Sequence, residues 1–339
     1  MSEPLLSIRD LTVDFATEDG PVHAVRGVDI EVAPGEVLAV VGESGSGKSV
    51  TAMAVLGLLP KPQATISGTI NWKGSDLLAL DEPGLRKVRG DEIAMIFQDP
   101  LTALNPVYKV GDQIAEMVLT HRDVSRKEAG RRAVEMLRMV HIPQAERRVE
   151  MYPHEYSGGM RQRAMIAMAL ACEPALVIAD EPTTALDVTV QAQVLDVLVE
   201  ATQQQEASVM LITHDLGVVA GMADRVAVMY AGKVVEQGPA FELFESPTHP
   251  YTIGLLASLP RLEGDVSQPL IPIGGQPPSM LNPPSGCAFH PRCRFASESA
   301  GCTEIIPQLE VGPTGHPVAC LRAEDVAKAA DDAEKEAAS

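Results

Sequence analysis

The chain has 339 residues, 45% of them apolar and 22% charged, and its 27 Lys and Arg against 46 Asp and Glu leave a formal net charge of −19. That excess of acid argues against a nucleic-acid backbone or an anionic lipid surface as the main partner. No run approaches the ~18 apolar residues of a membrane-spanning helix. No basic stretch leads into an apolar one near the start, so a cytoplasmic setting is expected, with the five cysteines as thiols or ligands rather than structural disulfides.

Residues 6–15 and 25–32 alternate apolar and polar side chains, the period of half-buried, mostly antiparallel strands. Residues 37–41 are continuously apolar and read as a parallel strand covered on both faces. Helical periodicity follows at 48–59, a further alternating strand at 66–72 and a second apolar run at 93–97. Between 99 and 158 only helices and loops are expected, with helical patterns at 110–119 and 127–140, so this stretch reads as a helical insert. Helix 159–171, strand 176–179, helix 190–201 and strand 209–212 then alternate, as in an open α/β sheet. A hairpin is predicted from 226–230 and 233–237, turning at Ala231-Gly232. Beyond Gly238, prolines and glycines cluster from 260 to 317 together with four of the five cysteines, which reads as a separate, loop-rich extension. Residues 323–339 hold six acids and two lysines and predict a frayed helix or a disordered tail.

Gly42-Glu43-Ser44-Gly45-Ser46-Gly47-Lys48-Ser49 matches the phosphate-loop pattern G-x-x-x-x-G-K-[ST]. It follows an apolar strand and opens a helix, as the chemistry requires. Glycines let successive backbone N–H groups turn inward as an anion nest, and the helix start adds favourable partial charge. Lys48 would reach the β- and γ-phosphates and Ser49 would ligate Mg²⁺. Asp180 and Glu181 close the apolar strand at 176–179. Asp180 suits the Mg²⁺ site and Glu181 could polarise the attacking water.

Tyr156-Ser157-Gly158-Gly159-Met160-Arg161-Gln162-Arg163 resembles the signature motif of ATP-binding cassette (ABC) ATPases, usually L-S-G-G-Q, with its Ser-Gly-Gly intact and its flanks changed to Tyr and Met. The remaining motifs of that family match in order. Gln98, after the 93–97 strand, falls at the Q-loop glutamine, where it would join Ser49 and Asp180 at the metal. Thr184-Ala185-Leu186-Asp187 falls at the D-loop, and His214 at the switch histidine. Gln98, Asp180 and His214 all sit at carboxyl ends of predicted parallel strands, the edge where open α/β sheets bind ligands. The resemblance implies a P-loop NTPase core of the ABC type with an amino-terminal antiparallel β-subdomain, a helical insert and a carboxy-terminal extension. It implies that Phe15 stacks on adenine, that residues 42–49 with Val50 hold the phosphates, and that Glu181, His214 and Gln98 are catalytic. In this family each ATP lies between one subunit's phosphate loop and the other's signature motif. Ser157, Gly158, Gly159 and Asp187 would therefore act on a second ATPase subunit's nucleotide.

Phe97-Gln98-Asp99-Pro100-Leu101-Thr102-Ala103-Leu104-Asn105-Pro106 and Pro247-Thr248-His249-Pro250-Tyr251-Thr252 resemble the dipeptide/oligopeptide/nickel branch of ABC importers. That branch implies a peripheral place on the cytoplasmic face of the cell membrane. The expected partners are a second, different ATPase chain, two transmembrane permeases and, indirectly, an external solute-binding protein. A nickel importer and a soluble ABC ATPase unconnected with transport are the alternatives. The domain boundaries expected are 1–240 for the ATPase, with its insert at about 99–160, then 241–322 for the extension and 323–339 for the tail. Cys287, Cys293, Cys302 and Cys320 are spaced C-x5-C-x8-C-x17-C, without the C-x2-C pair common in zinc sites. Four thiolates suit Zn²⁺ or a [4Fe–4S] cluster, and free or disulfide-bonded thiols remain possible. The resemblance favours the cluster, which some ATPases of this type carry. Cys172 reads as core, and His290 and His316 as solvated loop residues.

Overall fold

The computed structural model describes residues 3–184, 186–258 and 273–329. In chain order the elements are β1 (Leu6–Thr17), β2 (Gly20–Val32), β3 (Val37–Val41), α1 (Lys48–Val55), β4 (Ala64–Trp72), β5 (Ser75–Asp76), α2 (Glu82–Val88), β6 (Ile93–Ile96), α3 (Pro100–Ala103), α4 (Val110–His121), α5 (Arg126–Met139) and α6 (Ala145–Arg148). There follow α7 (Gly158–Ala169), β7 (Leu176–Asp180), α8 (Val188–Gln204), β8 (Ser208–Thr213), α9 (Leu216–Val219), β9 (Arg225–Tyr230), β10 (Lys233–Pro239), α10 (Ala240–Glu245), α11 (Pro250–Ala257), β11 (Glu310–Val311) and β12 (Pro317–Val318). Among the described residues no helix is long and apolar enough to cross a membrane.

The chain packs as two compact units. The first takes residues up to 5, 32–37 and 72–212; the second takes 6–31, 38–71 and 213 onward. In the first, β6 and β8 flank β7, and all three run parallel, with Ile93 opposite Leu176 and Asp180 opposite Ile212. Every residue of β7 and β8 is buried, which is why these segments read as unbroken apolar runs rather than alternating ones. The stretch expected as an insert holds helices and turns. Here α4 buries Val110, Ile114 and Val118, and α5 answers with Ala129, Ala133, Met136 and Leu137, the 3–4 residue rhythm of one helix face. A reciprocal capping box between Ser125 and Glu128 starts α5.

In the second unit, β1 and β2 are joined by a two-residue turn at Glu18-Asp19, and the sheet order is β2-β1-β4. β3 lies parallel to β9, Leu38 opposite Arg225 through Val41 opposite Val228. β9 turns back into β10 through Ala231 and Gly232, both at positive φ (47° and 76°), the backbone of a tight hairpin. The cysteine-bearing extension, expected to stand apart, joins this sheet. β12 pairs with β10 at Glu236 opposite Val318, and β11 pairs with β12. Phe289 enters a core shared with Val226, Val228, Tyr230, Leu243 and Tyr251.

One further expectation is corrected in this unit. His316 is not a solvated loop residue but is 2% exposed, with its Nε2 2.9 Å from the buried Glu236 Oε1. The β10–β12 pairing brings the two together across 80 residues, a contact no local pattern announces. Of the frayed helix or disordered tail expected at 323–339, residues 323–329 are helical, with Val326 buried. The rest of the tail, residues 330–339, lies outside the described residues, as do residues 259–272 of the extension.

Candidate functional site

The phosphate loop follows β3 and delivers the chain into α1. Gly42 has a φ of 154°, and a Cβ there would lie 2.2 Å from the Met229 carbonyl oxygen. At Gly47 the φ is 101°, and a Cβ would come within 2.6 Å of the Ala24 carbonyl oxygen. Only glycine fits either position, because both the backbone angle and the space exclude a side chain. The neighbouring hairpin turn holds the loop through the Gly232 N–H, which donates to Ser46 O at 3.0 Å. Lys48 is 5% exposed, and its Nζ donates to Gly42 O at 2.7 Å and Glu43 O at 3.0 Å. No side chain caps the start of α1. The start of a helix is where an anion binds favourably. Ser44 and Gly45 are exposed, and Ser49 and Val50 lie in the first turn of α1.

The carboxy-terminal extension reaches this loop. Tyr251 Oη accepts a hydrogen bond from the Glu43 N–H at 2.8 Å. Arg292 donates from Nη1 to Glu43 Oε2 at 2.7 Å and from Nη2 to Glu43 Oε1 at 3.0 Å. The hydrogen bond to Glu43 above all holds the Arg292 guanidinium above its usual range, against the opposing effect of burial. Sequence reasoning missed both residues, which lie 208 and 249 positions from Glu43.

In the first unit β7 ends at Asp180, 9% exposed, and the next residue turns sharply. Glu181 has a φ of 45°, uncommon for a side chain of its size and a sign of a backbone held by its surroundings. Its N–H donates to Ile212 O at 2.9 Å. Gln98 Nε2 donates to Glu181 Oε2 at 3.0 Å and Thr184 Oγ1 donates to the same oxygen at 2.8 Å. Two sequence-predicted residues, Gln98 and Glu181, are thus in direct contact. Ser157 caps α7, its Oγ accepting from the Met160 N–H at 3.4 Å, and is exposed. Gly158 is exposed too, while a Cβ on Gly159 would press on Val190 Cγ1 at 2.7 Å. The tyrosine that departs from the usual motif has a structural reason: Tyr156 is 3% exposed and donates to Arg148 O at 2.9 Å, and burial pushes its hydroxyl up to about 12. Asp187 caps α8 through Val190 N–H, and Ala185 between it and Thr184 is outside the described residues. In the second unit Phe15 is half-buried on β1 and His214 is exposed just after β8.

Cys287, Cys293, Cys302 and Cys320 line one small cavity with His249, Phe289 and Phe295. All four are free, as is Cys172, which is buried as expected. Burial raises the thiols of Cys287 and Cys293, and pushes Cys320 up to about 12. Backbone N–H groups point at the sulfur atoms: Phe289 and His290 at Cys287, Phe295 and Ala296 at Cys293, and Arg322 at Cys320. Among the described residues no three His, Cys, Asp or Glu side chains group as the ligands of a metal ion do.

A strand–phosphate loop–helix unit, with Asp-Glu closing a parallel strand and Ser-Gly-Gly opening a helix, defines an ATP-binding cassette. Comparison with known proteins agrees: residues 25–184 match the ABC transporter family, and residues 235–302 match the oligopeptide/dipeptide transporter C-terminal region. The oligopeptide transport ATP-binding protein OppD of Bacillus subtilis is 54% identical over 293 residues, covering 86% of this chain and 82% of that protein. The dipeptide transport ATP-binding protein DppD of the same organism is 50% identical over 319 residues, 94% of each. Among solved structures, the dimeric post-hydrolysis state of the cassette MJ0796 bound to ADP and Pi superimposes with a TM-score of 0.62 at 26% identity, covering 69% of this chain and 98% of that one. The chain belongs to the ABC ATPases, in the family that carries the oligopeptide/dipeptide transporter C-terminal region.

Proposed function

We propose that this chain is the ATP-hydrolysing subunit of a membrane importer for di- and oligopeptides. The observation that carries the reading is the braced phosphate loop, with Lys48 folded onto the Gly42 and Glu43 carbonyls, in a chain whose extension is of the peptide-transporter type. Lys48, the loop amides and Val50 would hold the triphosphate, and Ser49, Asp180 and Gln98 would hold Mg²⁺, with Phe15 against the adenine. When bound, Mg²⁺ would neutralise negative charge on the phosphate oxygens. Glu181, oriented by Gln98 and Thr184, would accept the proton of the attacking water, and His214 would face the γ-phosphate. The chain carries one phosphate loop and one signature motif. Ser157, Gly158, Gly159 and Asp187 would therefore complete the nucleotide site of a second ATPase subunit, a different chain in the pairing we favour. Two transmembrane permeases would receive the motion at the cytoplasmic face of the membrane, fed by an external solute-binding protein. Affinity purification from detergent-solubilised membranes tests the assignment: two permeases and a second ATPase should accompany the chain. A nickel-selective partner set, or ribosomes without permeases, would replace it.

The cysteine cavity supports a [4Fe–4S] cluster on Cys287, Cys293, Cys302 and Cys320. An apolar wall and backbone N–H groups aimed at sulfur are what such a cluster needs, since they stabilise thiolate charge where water is excluded. Anaerobic purification should give brown protein with matched iron and sulfide. Colourless protein with one equivalent of zinc would favour Zn²⁺ instead.

A further inference from the structure

Glu43 occupies a hub that the nucleotide chemistry alone does not explain. Its carbonyl accepts from Lys48 Nζ at 3.0 Å and from the Ser46 N–H at 3.2 Å, so its peptide fixes both the phosphate-loop lysine and the turn of the loop. Its other groups are taken by the extension: the N–H by Tyr251 Oη, and both carboxylate oxygens by the Arg292 fork. These partners are themselves locked. Tyr251 is 0% exposed and packs against Tyr230 and Phe289 with ring centroids 4.5 and 5.4 Å away. The Arg292 side chain is 4% exposed, lies 5.8 Å from the Tyr230 ring and 5.9 Å from that of Phe289, and donates from Nε to Gly274 O at 2.9 Å. A buried guanidinium paired through two nitrogens fixes a carboxylate in place and orientation, which a flexible ammonium does not.

We propose that Arg292, together with Tyr251, is a positioning residue for nucleotide binding: through Glu43 the extension sets where Lys48 meets the phosphates. The inference rests on the ATP-binding reading above and assigns a task to a segment otherwise read as a cysteine scaffold. Lys48 must be within hydrogen-bond reach of a phosphate oxygen to be useful, and the peptide that holds it is fixed only if Glu43 is fixed. Removing the fork frees the Glu43 carboxylate to turn toward water, and its peptide with it. Removing the Tyr251 hydroxyl leaves the Glu43 N–H without that acceptor.

The test measures equilibrium binding of a fluorescent ATP analogue on the purified 339-residue chain, and steady-state KM and kcat on the complex assembled with its partner ATPase and permeases. Arg292→Gln should weaken nucleotide binding about tenfold, the loss expected for a charge-assisted pair, with KM rising in step and kcat at saturation little changed. Glu43→Gln should do the same, and the double variant should be no worse than either single one, because both cut one strut. Arg292→Lys should fall between. Tyr251→Phe keeps the ring and the fold and should still weaken binding about threefold, so the test stands even if Arg292→Gln folds poorly. Melting curves run alongside. Nucleotide affinity unchanged within twofold in Arg292→Gln and Tyr251→Phe, whatever happens to the melting temperature, would show a brace without influence on the loop and overturn the proposal. If the wild type itself bound no ATP while Lys48→Ala behaved identically, the functional reading would fall, and this inference with it.

Discussion

The phosphate loop and the Glu181 corner are held in opposite ways. The loop is clamped by buried groups from far along the chain: Tyr251 and Arg292 on Glu43, and the Gly232 turn on Ser46. The corner is open and rests on exposed side chains. Glu181 shares its carboxylate oxygen with Thr184, three residues on, and with Gln98, whose side chain lies at the surface. Binding a triphosphate needs a rigid cradle, since every amide must face one anion at once. Polarising a water requires a carboxylate that can be re-aimed once the site closes, and an exposed glutamine and threonine permit that at little cost.

The sharpest way to break that contrast is at the corner. Glu181→Gln should still bind ATP yet lose at least ~100-fold in turnover, the loss expected when a general base is removed, and accumulate as a closed pair on sizing columns. Normal steady-state hydrolysis would remove Glu181 from its role. The opposite variant probes the clamp's anchorage. Glu236 Oε1 gathers His316, the Thr248 N–H and hydroxyl, and the His249 N–H. His316→Ala should therefore cost about 3 kcal/mol in urea denaturation by stripping a donor from a buried carboxylate. A change below a few tenths would mean that the extension is secured elsewhere.

Acid should loosen the same anchorage. Burial holds His249 at about 4, and its Nδ1 accepts from the Tyr251 N–H at 3.1 Å, so the folded ring is neutral. The unfolded chain takes up that proton near pH 6.5 and the folded chain only near 4. Stability from this group is thus intact above 6.5 and falls as pH drops toward 4. Burial alone would raise Glu236, but the His316 hydrogen bond and its other partners outweigh it and hold the acid below its usual range. Its contribution is present above the ordinary carboxylate range and is lost as pH falls through the lowered value. Unfolding free energy should drop about 2 kcal/mol between pH 7 and pH 5, and His249→Gln should flatten that slope. The smallest expected effect lies far from either site. Ser125→Ala removes the α5 capping box and should cost about 1 kcal/mol without changing ATP affinity. A shift in affinity there would blur the distinction between clamp and frame.

What could be read beforehand follows how local each interaction is. Residues 42–49, the Asp180-Glu181 pair and Ser157 at the start of α7 are contiguous motifs whose chemistry is spelled within a few positions. The apolar runs at 37–41 and 176–179 were legible as strands because burial on both faces leaves no polar residue to interrupt them. The Ala231-Gly232 turn was legible because Gly232 takes a positive φ at no steric cost between two apolar runs; the positive φ of Ala231 carries no such signal. Arg292 and His316 were not, since an arginine before a cysteine and a histidine among glycines carry no signal until sheet pairing and aromatic packing bring them to their carboxylates. Gln98 and Glu181 were each singled out beforehand, Gln98 through family resemblance and a strand end, but their contact across 83 residues was not.

The distance of Arg292 from Glu43 also has a meaning in time. A ribosome adding residues at ~5–20 per second needs roughly 12–50 s to traverse the 249 positions between them. Throughout that interval the newborn chain carries its phosphate loop without the guanidinium that steadies it. On the proposal above, full affinity for nucleotide would arrive late in synthesis, and a product that terminates before Arg292 would bind it more weakly.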